Sequence, residues 1–338
     1  MIKENLQKAP VHYLITGGAG FVGSFLIQSL LEQGKTVTIV DNLSTGRMEN
    51  IQPWIGHPRF RFAIDSITNE AVLDRLVSEV DTIIHLAAAV GVRLIVEKPV
   101  HTIETNIMGT EKILKTALRY RVKVLIASTS EVYGKSAQVP FSEDQDSLLG
   151  PSSKNRWAYA ASKLVDEFLG LAYQREYGLP IVIFRLFNTI GPRQRGRYGM
   201  VVPRLIRQAL EGETLSVYGD GTQRRCFCDV RDVIRAIIGL SEHPEAVGKV
   251  FNIGAANEIS IKDLAERILK ITQSRSKISL VPFADAYGTD FEDMPRRVPD
   301  TTRIQKLLGW SPSISLDETL TAVRDHIMNT KSVGESSL

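Results

Sequence analysis

Tyr159 and Lys163 stand four residues apart in Ala158–Tyr177, a stretch whose apolar spacing predicts a helix. An i, i+4 pair shares one helix face. A lysine ammonium beside a phenol favours the phenolate and lowers its pKa. Such a tyrosine takes the proton of an alcohol while hydride leaves the same carbon. Tyr-x-x-x-Lys is common by chance, and a surface tyrosine with a solvated lysine is the bland alternative. Here the pair occurs once, late in an alternating strand–helix pattern. Upstream, Ser128-Thr129-Ser130-Glu131-Val132-Tyr133-Gly134 follows an apolar run. A hydroxyl there is a candidate partner for the reacting oxygen. Glu131 is a second acid–base candidate, or simply a turn carboxylate.

A hydride needs an acceptor. The apolar strand Val11–Thr16 runs into Thr16-Gly17-Gly18-Ala19-Gly20-Phe21-Val22-Gly23, followed by the helical pattern Phe21–Gln33. Glycines in such a turn let the backbone approach a pyrophosphate, and the helix N-terminus adds N–H groups and partial positive charge. Strand before and helix after are the context the motif requires. Asp41 ends the second strand about twenty residues on, where a carboxylate accepts both adenosine ribose hydroxyls and repels a 2′-phosphate. That predicts NAD over NADP. A strand-end aspartate capping a turn is the alternative, and Arg47 nearby argues mildly against the NAD preference. Asp65-Ser66 after a third strand and Leu86-Ala87-Ala88 after a fourth offer further contacts to the same ligand.

The elements that must position these residues fit that reading. Val11–Thr16, Thr36–Val40, Thr82–Leu86, Val122–Ser128 and Ile181–Leu186 read as short, buried, β-branched strands. Phe21–Gln33, Glu70–Val80, Thr102–Tyr120 and Ala158–Tyr177 read as the helices between them. Strand–helix alternation implies parallel strands with right-handed crossovers. The fold class is α/β: a doubly wound parallel Rossmann sheet with a smaller mixed α/β lobe. That lobe takes in helices Val201–Leu210 and Ile261–Ile271 and a loop over Gly191–Gly199. Arg231–Leu240 reads as a helix and Val250–Ile253 as a strand. The expected division is 1–188 with about 223–256 for the dinucleotide, and about 189–222 with 257–330 for the substrate. The small polar residues from Lys331 to Leu338 are expected to form a loose tail.

Composition narrows the function class. The 338 residues are 43% hydrophobic and 23% charged, which suits a globular chain and excludes a disordered or collagen-like one. A net charge of +3, spread along the chain, calls for neither nucleic acid nor an anionic membrane. No run approaches the roughly 18 apolar residues that span a bilayer. Cys226 and Cys228 are too close for an unstrained bridge, and the six histidines show no metal-ligand spacing. A reduced, cytoplasmic protein without a metal is the expectation.

The ordered set Thr16–Gly23, Asp41-Asn42-Leu43-Ser44, His85-Leu86-Ala87-Ala88, Ser128–Gly134, Tyr159/Lys163 and Arg185–Pro192 resembles the extended short-chain dehydrogenase/reductases. It looks most like their nucleotide-sugar epimerase, dehydratase and decarboxylase branch, over about residues 11 to 328. The resemblance implies Tyr159 as base and Lys163 on the nicotinamide ribose. It places Thr129, Ser130 and Glu131 around the reacting sugar. It adds Asn42, Ser44, Thr45, Gly46, Asn106 and Ser128 to the cofactor set, and implies that NAD is regenerated within one cycle. It gives Asn188, Arg193, Val202, Tyr218 and Arg225 to the nucleotide sugar. It also implies a homodimer built on Thr102–Tyr120 and Ala158–Tyr177. Ile103, Ile107, Ile113, Leu114, Ala117, Leu164, Phe168 and Leu171 are the apolar positions there, unless they face only their own sheet.

All three branches first make a 4-keto sugar. Gly150–Lys163, with Arg156-Trp157, and the segments Gln223–Asp229 and Tyr287-Gly288 are similar to UDP-glucuronate decarboxylases. Ser130-Glu131 matches their Ser-Glu pair, where dehydratases carry Asp-Glu. Arg297 falls where those enzymes place a proton-donating arginine near C5, although many epimerases use an arginine there for the nucleotide phosphates. One departure stands out. The decarboxylases carry a tyrosine four residues before the proline matching Pro99, and this chain has Ile95. Arg93 is a candidate replacement contact to the sugar carboxylate. The expectation is a UDP-glucuronate decarboxylase. A UDP-sugar 4-epimerase is the alternative, a 4,6-dehydratase ranks below it, and an NAD-binding protein without catalysis ranks last.

Overall fold

The computed structural model describes residues 10–91, 97–196, 200–287, 292 and 294–335. Arg93, Ile95, Gly288 and the side chain of Tyr287 lie outside the described residues.

Six parallel strands, β1 (His12–Thr16), β2 (Thr36–Asp41), β3 (Phe60–Ile64), β4 (Thr82–His85), β5 (Lys123–Thr129) and β6 (Ile181–Leu186), pair with a seventh, Lys249–Ile253. The order across the sheet is Lys249–Ile253, β6, β5, β4, β1, β2, β3. The order reverses between β1 and β4, and such a switch point opens a crevice at the strands' C-terminal ends.

Helices cover both faces of the central strands, which is why those are mostly apolar, while the edge strand β3 leaves Phe62 and Ile64 exposed. On one face, Leu26, Ile27 and Leu30 of the Phe21–Glu32 helix pack with Val233 and Ile237 of Val230–Glu242. On the other, Ile113, Leu114 and Ala117 of the Pro99–Tyr120 helix pack on Leu14, Val124 and Ile126. The second helix on that face is Arg156–Tyr177, ended by Gly178 at φ +66°. A separate core joins Leu205 and Ile206 of Val201–Leu210, Leu264 and Ile268 of Ile261–Thr272, and Leu320 and Val323 of Leu316–Glu335.

Two sequence expectations change. Ile113, Leu114 and Ala117 are fully buried on their own sheet, so they are not available to a partner; Ile103 and Phe168, 39% and 63% accessible, point outward. The residues from Lys331 do not begin a tail, because the last helix runs on to Glu335. Small polar residues without proline did not stop its hydrogen bonding. Residues 336–338 lie outside the described residues.

Candidate active site

A cleft of about 1170 Å³ follows the C-terminal edge of the sheet, from Asp41 at one end to Tyr218 at the other. The glycine turn forms its floor. Gly17 has φ +70°, and a Cβ there would sit 3.0 Å from the Ala87 nitrogen, so backbone meets backbone. Gly20 is the N-cap of Phe21–Glu32 and no side chain caps that end. Its first-turn N–H groups are therefore left for a ligand beside the lining residues Gly20, Phe21 and Val22. Gly23 lies behind the turn, where a Cβ would stand 2.5 Å from the Gly17 carbonyl oxygen. It packs the helix onto the turn and does not line the cleft.

Asp41 accepts N–H bonds from Ala19 at 3.0 Å and Leu43 at 2.8 Å. Burial pushes its carboxyl pKa up, and those two donors oppose the shift. Asn42, Ser44, Thr45, Asp65, Ser66, Leu86, Ala87 and Ala88 line the same end. Gly46 does not line it: a Cβ there would approach the Asp41 carboxylate within 2.7 Å, so its role is to leave Asp41 room. Arg47 lines the cleft but pairs with Glu49 at 3.0 Å. Asn106 is displaced from the cofactor set. Its amide accepts from the Ala89 nitrogen at 2.8 Å and donates to Ser162 Oγ at 3.0 Å, so it fastens the loop after β4 to the Arg156–Tyr177 helix. A backbone cradle, an uncapped helix end and a strand-end carboxylate together fit a dinucleotide.

The reacting end lies where β5 delivers Ser128 and Thr129 into a buried 3₁₀ turn, Ser130–Tyr133. Thr129, Ser130, Glu131, Tyr159, Lys163, Arg156, Arg225 and Arg297 all line the cleft there. Tyr159 is 7% accessible. Burial raises its pKa, the negative charges of Glu131 and Asp166 raise it further, and a hydrogen bond with Thr129 works the other way. This reverses the sequence expectation of a lowered pKa. The i+4 lysine does share the face, but its ammonium is held 2.7 Å from Asp166 and its charge is spent there. Ser128 lines the cleft, and its hydroxyl donates to Glu167. Glu167 in turn takes two bonds from Arg185, at 2.9 and 2.7 Å. Ser128 and Arg185 are register partners in β5 and β6, which brings these three side chains together.

Glu131 is the centre of an arginine cluster. Burial favours its neutral form, yet Arg156, Arg297 and Arg225 outweigh burial and hold the carboxyl below its usual pKa. Arg156 donates to Glu131 Oε2, and Arg297 Nη1 stands 3.5 Å from Oε1. Arg297 and Arg225 are register partners in neighbouring strands, Arg296–Arg297 and Arg224–Cys226. Arg193 does not join this group. Its guanidinium sits 4.4 Å from the Phe25 ring and bonds Ser24 and Gln28, on the helix behind the glycine turn. Asn188 donates to the Cys226 carbonyl at 2.8 Å and lines the cleft with Val202 and Tyr218.

Sequence reasoning missed Asp166, Glu167 and the inward role of Arg185. Asp166 had a signal, being three residues after Lys163 and so on the same helix face. Glu167–Arg185 joins the Arg156–Tyr177 helix to β6 and leaves no local pattern.

The chain is similar to several known proteins. Residues 14–323 match the family model described as GDP-mannose 4,6 dehydratase. A UDP-N-acetyl-α-D-glucosaminuronate decarboxylase of Bacillus cytotoxicus is 44% identical over 308 residues, covering 91% of this chain and 94% of that protein. UDP-glucuronic acid decarboxylase 1 of Danio rerio is 39% identical, over 94% of this chain and 73% of that one. Among solved structures, the UDP-glucuronic acid 4-epimerase of Bacillus cereus, bound to UDP-glucuronic acid and NAD, is 32% identical with a TM-score of 0.86, over 95% of this chain and all of that one. With a family model covering most of its length and relatives above one-third identity, the chain belongs to the GDP-mannose 4,6 dehydratase family, within the nucleotide-sugar branch of the extended short-chain dehydrogenase/reductases.

Proposed function

We propose that the protein is an NAD-dependent decarboxylase of a UDP-hexuronate, working through C4 oxidation. The observation that carries this reading is the gathering of Arg156, Arg225 and Arg297 with Glu131 on the cleft wall beside Tyr159. Three guanidinium groups lining the cleft there suit a sugar bearing a carboxylate of its own. The decarboxylase relatives support the same choice.

When bound, NAD supplies the acceptor, and later the donor, of the hydride at C4. Tyr159 takes the O4 proton, with Thr129 beside it on the cleft wall. The resulting ketone lies β to the C6 carboxylate, so the C5–C6 electron pair passes into an enolate as CO2 departs. Arg156 and Arg297 stabilise that enolate. A proton then reaches C5, hydride returns to C4, and Tyr159 gives its proton back to O4. The net change consumes one proton and releases CO2, with no net oxidation. Lys163 and Asp41 are assigned to the cofactor's two riboses, and Arg225 and Asn188 to the nucleotide sugar. The cofactor unit in this reading is 1–188 with about 223–256.

The test is purified protein with UDP-glucuronate and, separately, with its 2-acetamido counterpart. CO2 and a UDP-pentose are expected from at least one. UDP-galacturonate without CO2 would instead make it a 4-epimerase, the activity of several similar solved structures. NAD retained with no turnover of any UDP-sugar would overturn the enzyme reading.

We further propose a cytoplasmic homodimer, seated on the outer faces of Pro99–Tyr120 and Arg156–Tyr177. Val100, Ile103, Met108, Val165 and Phe168 leave an apolar surface there. Phe168→Glu is expected to convert the dimer to monomer in light scattering. A native-sized dimer in that variant would place the interface elsewhere.

A further inference from the structure

Lys163 does not stand alone in the cleft. Its ammonium is 2.7 Å from Asp166 Oδ2, and both side chains are almost wholly buried. A line of hydrogen bonds that starts at the glycine turn leads up to Thr110, beside Asp166. The Ala87 N–H donates to Thr16 Oγ1 at 3.1 Å. Thr16 Oγ1 is 2.7 Å from His85 Nδ1, and His85 Nε2 is 3.1 Å from Thr110 Oγ1. Thr110 faces Asp166 and favours its charged form.

The chemistry of the end groups sets the direction of this line. A carboxylate favours the Thr110 hydroxyl proton turned toward it, which leaves the Thr110 oxygen to accept from His85 Nε2–H. A neutral imidazole with Nε2–H accepts at Nδ1, so Thr16 donates there and is free to accept from Ala87. The imidazole is neutral because burial, and then the charge of Lys163, push its pKa down to about 3. Each donor in the line has one acceptor. The line joins residues of β1, β4 and the two helices of one face to the lysine. At its far end stands Ala87, the residue that closes on Gly17.

We propose that Asp166 is the positioning residue for Lys163, holding the ammonium beside the line that runs from Thr110 through His85 and Thr16 to the glycine turn. The proposal rests on the NAD-site reading given above. A lysine on four rotatable bonds loses considerable side-chain entropy when it must meet a ribose. Asp166 holds it in place before the ligand arrives. A second effect follows. Asp166 is one of the two negative charges raising the Tyr159 pKa, the other being Glu131, while Arg156 lowers it. The anchor therefore also sets the pH range in which Tyr159 acts as a base. Asp166 itself is faced by Lys163, Thr110 and Glu167.

The experiment is a double-mutant cycle on NAD affinity, read by calorimetry on protein stripped of nucleotide, with pH profiles run alongside. Asp166→Asn is expected to weaken NAD about 10-fold. Lys163→Ala is expected to weaken it at least as much, and the double variant no further, because the two residues act as a unit. In Asp166→Asn the acidic limb of kcat/KM should move to lower pH by about one unit, since removal of a negative charge lowers the phenol pKa. Thr110→Val, which keeps the shape, should show the same two changes at smaller size and serves if Asp166→Asn fails to fold. Additive losses of NAD affinity with an unmoved limb would overturn the proposal and leave the NAD site standing. Wild-type protein that binds no NAD would overturn both.

Discussion

Tyr159→Phe is expected to lower turnover by about 10³-fold or more while NAD remains bound. Positioned acid–base groups contribute about 10² to 10⁴ in rate. Without the phenol oxygen, nothing takes the O4 proton, and every later step waits on that one. The substitution removes one oxygen from a side chain that is 7% accessible and leaves the ring in place. Gly17, Gly20 and Asp41, which form the dinucleotide end of the cleft, lie apart from it on β1, its turn and β2. The check is nucleotide retained on the purified variant together with single-turnover product formation. Turnover at the wild-type rate would remove Tyr159 from the role of base. Because burial, Glu131 and Asp166 all raise this phenol's pKa, wild-type activity should fall on the acid side, where the base stays protonated.

Arg297→Ala is expected to stop CO2 release while C4 oxidation persists. Removing a preorganised charge from a buried site costs about 10² to 10³ in rate. Arg297 approaches Glu131 from the strand Arg296–Arg297, held in register with Arg224–Arg225, so its guanidinium is fixed before a substrate arrives. In the variant the ketone should form and stall, visible as reduced nicotinamide without CO2. Glu131 should also titrate higher, having lost one of the cations that hold its pKa down. A matched fall in UDP affinity and rate, with no reduced nicotinamide accumulating, would assign Arg297 to the phosphates instead.

What the sequence made legible was local. The glycine turn, Asp41 at a strand end and the Tyr159/Lys163 helix face each lie within one or two adjacent elements, so spacing alone reveals them. What it hid were choices among partners. Lys163 had both Tyr159 and Asp166 on its face, and the carboxylate won because an ion pair outbids a neutral phenol in a buried site. Asn106 and Ser128 are polar residues close to the cleft that turned inward, drawn by a backbone N–H and by Glu167. Four arginines looked equivalent in sequence, yet Arg193 was taken by Ser24, Gln28 and the Phe25 ring. Apart from Asp166, three residues on from Lys163, each deciding neighbour is distant in the chain. Glycines misled in the opposite sense: Gly23 and Gly46 stand within motifs but serve packing and clearance, which only a three-dimensional neighbour reveals.

The walls of the one cleft are drawn from nearly the whole chain, from Gly17 to Arg297. No fragment carries a working half of it. The glycine turn comes from the beginning, the base from the middle, and the third arginine of the cluster from near the end. A ligand spanning these walls is bound only when all of them have folded. Its binding free energy is therefore added to the stability of the entire chain. Melting temperature becomes a reporter of occupancy for cofactor and nucleotide sugar alike, wherever along the cleft each one sits.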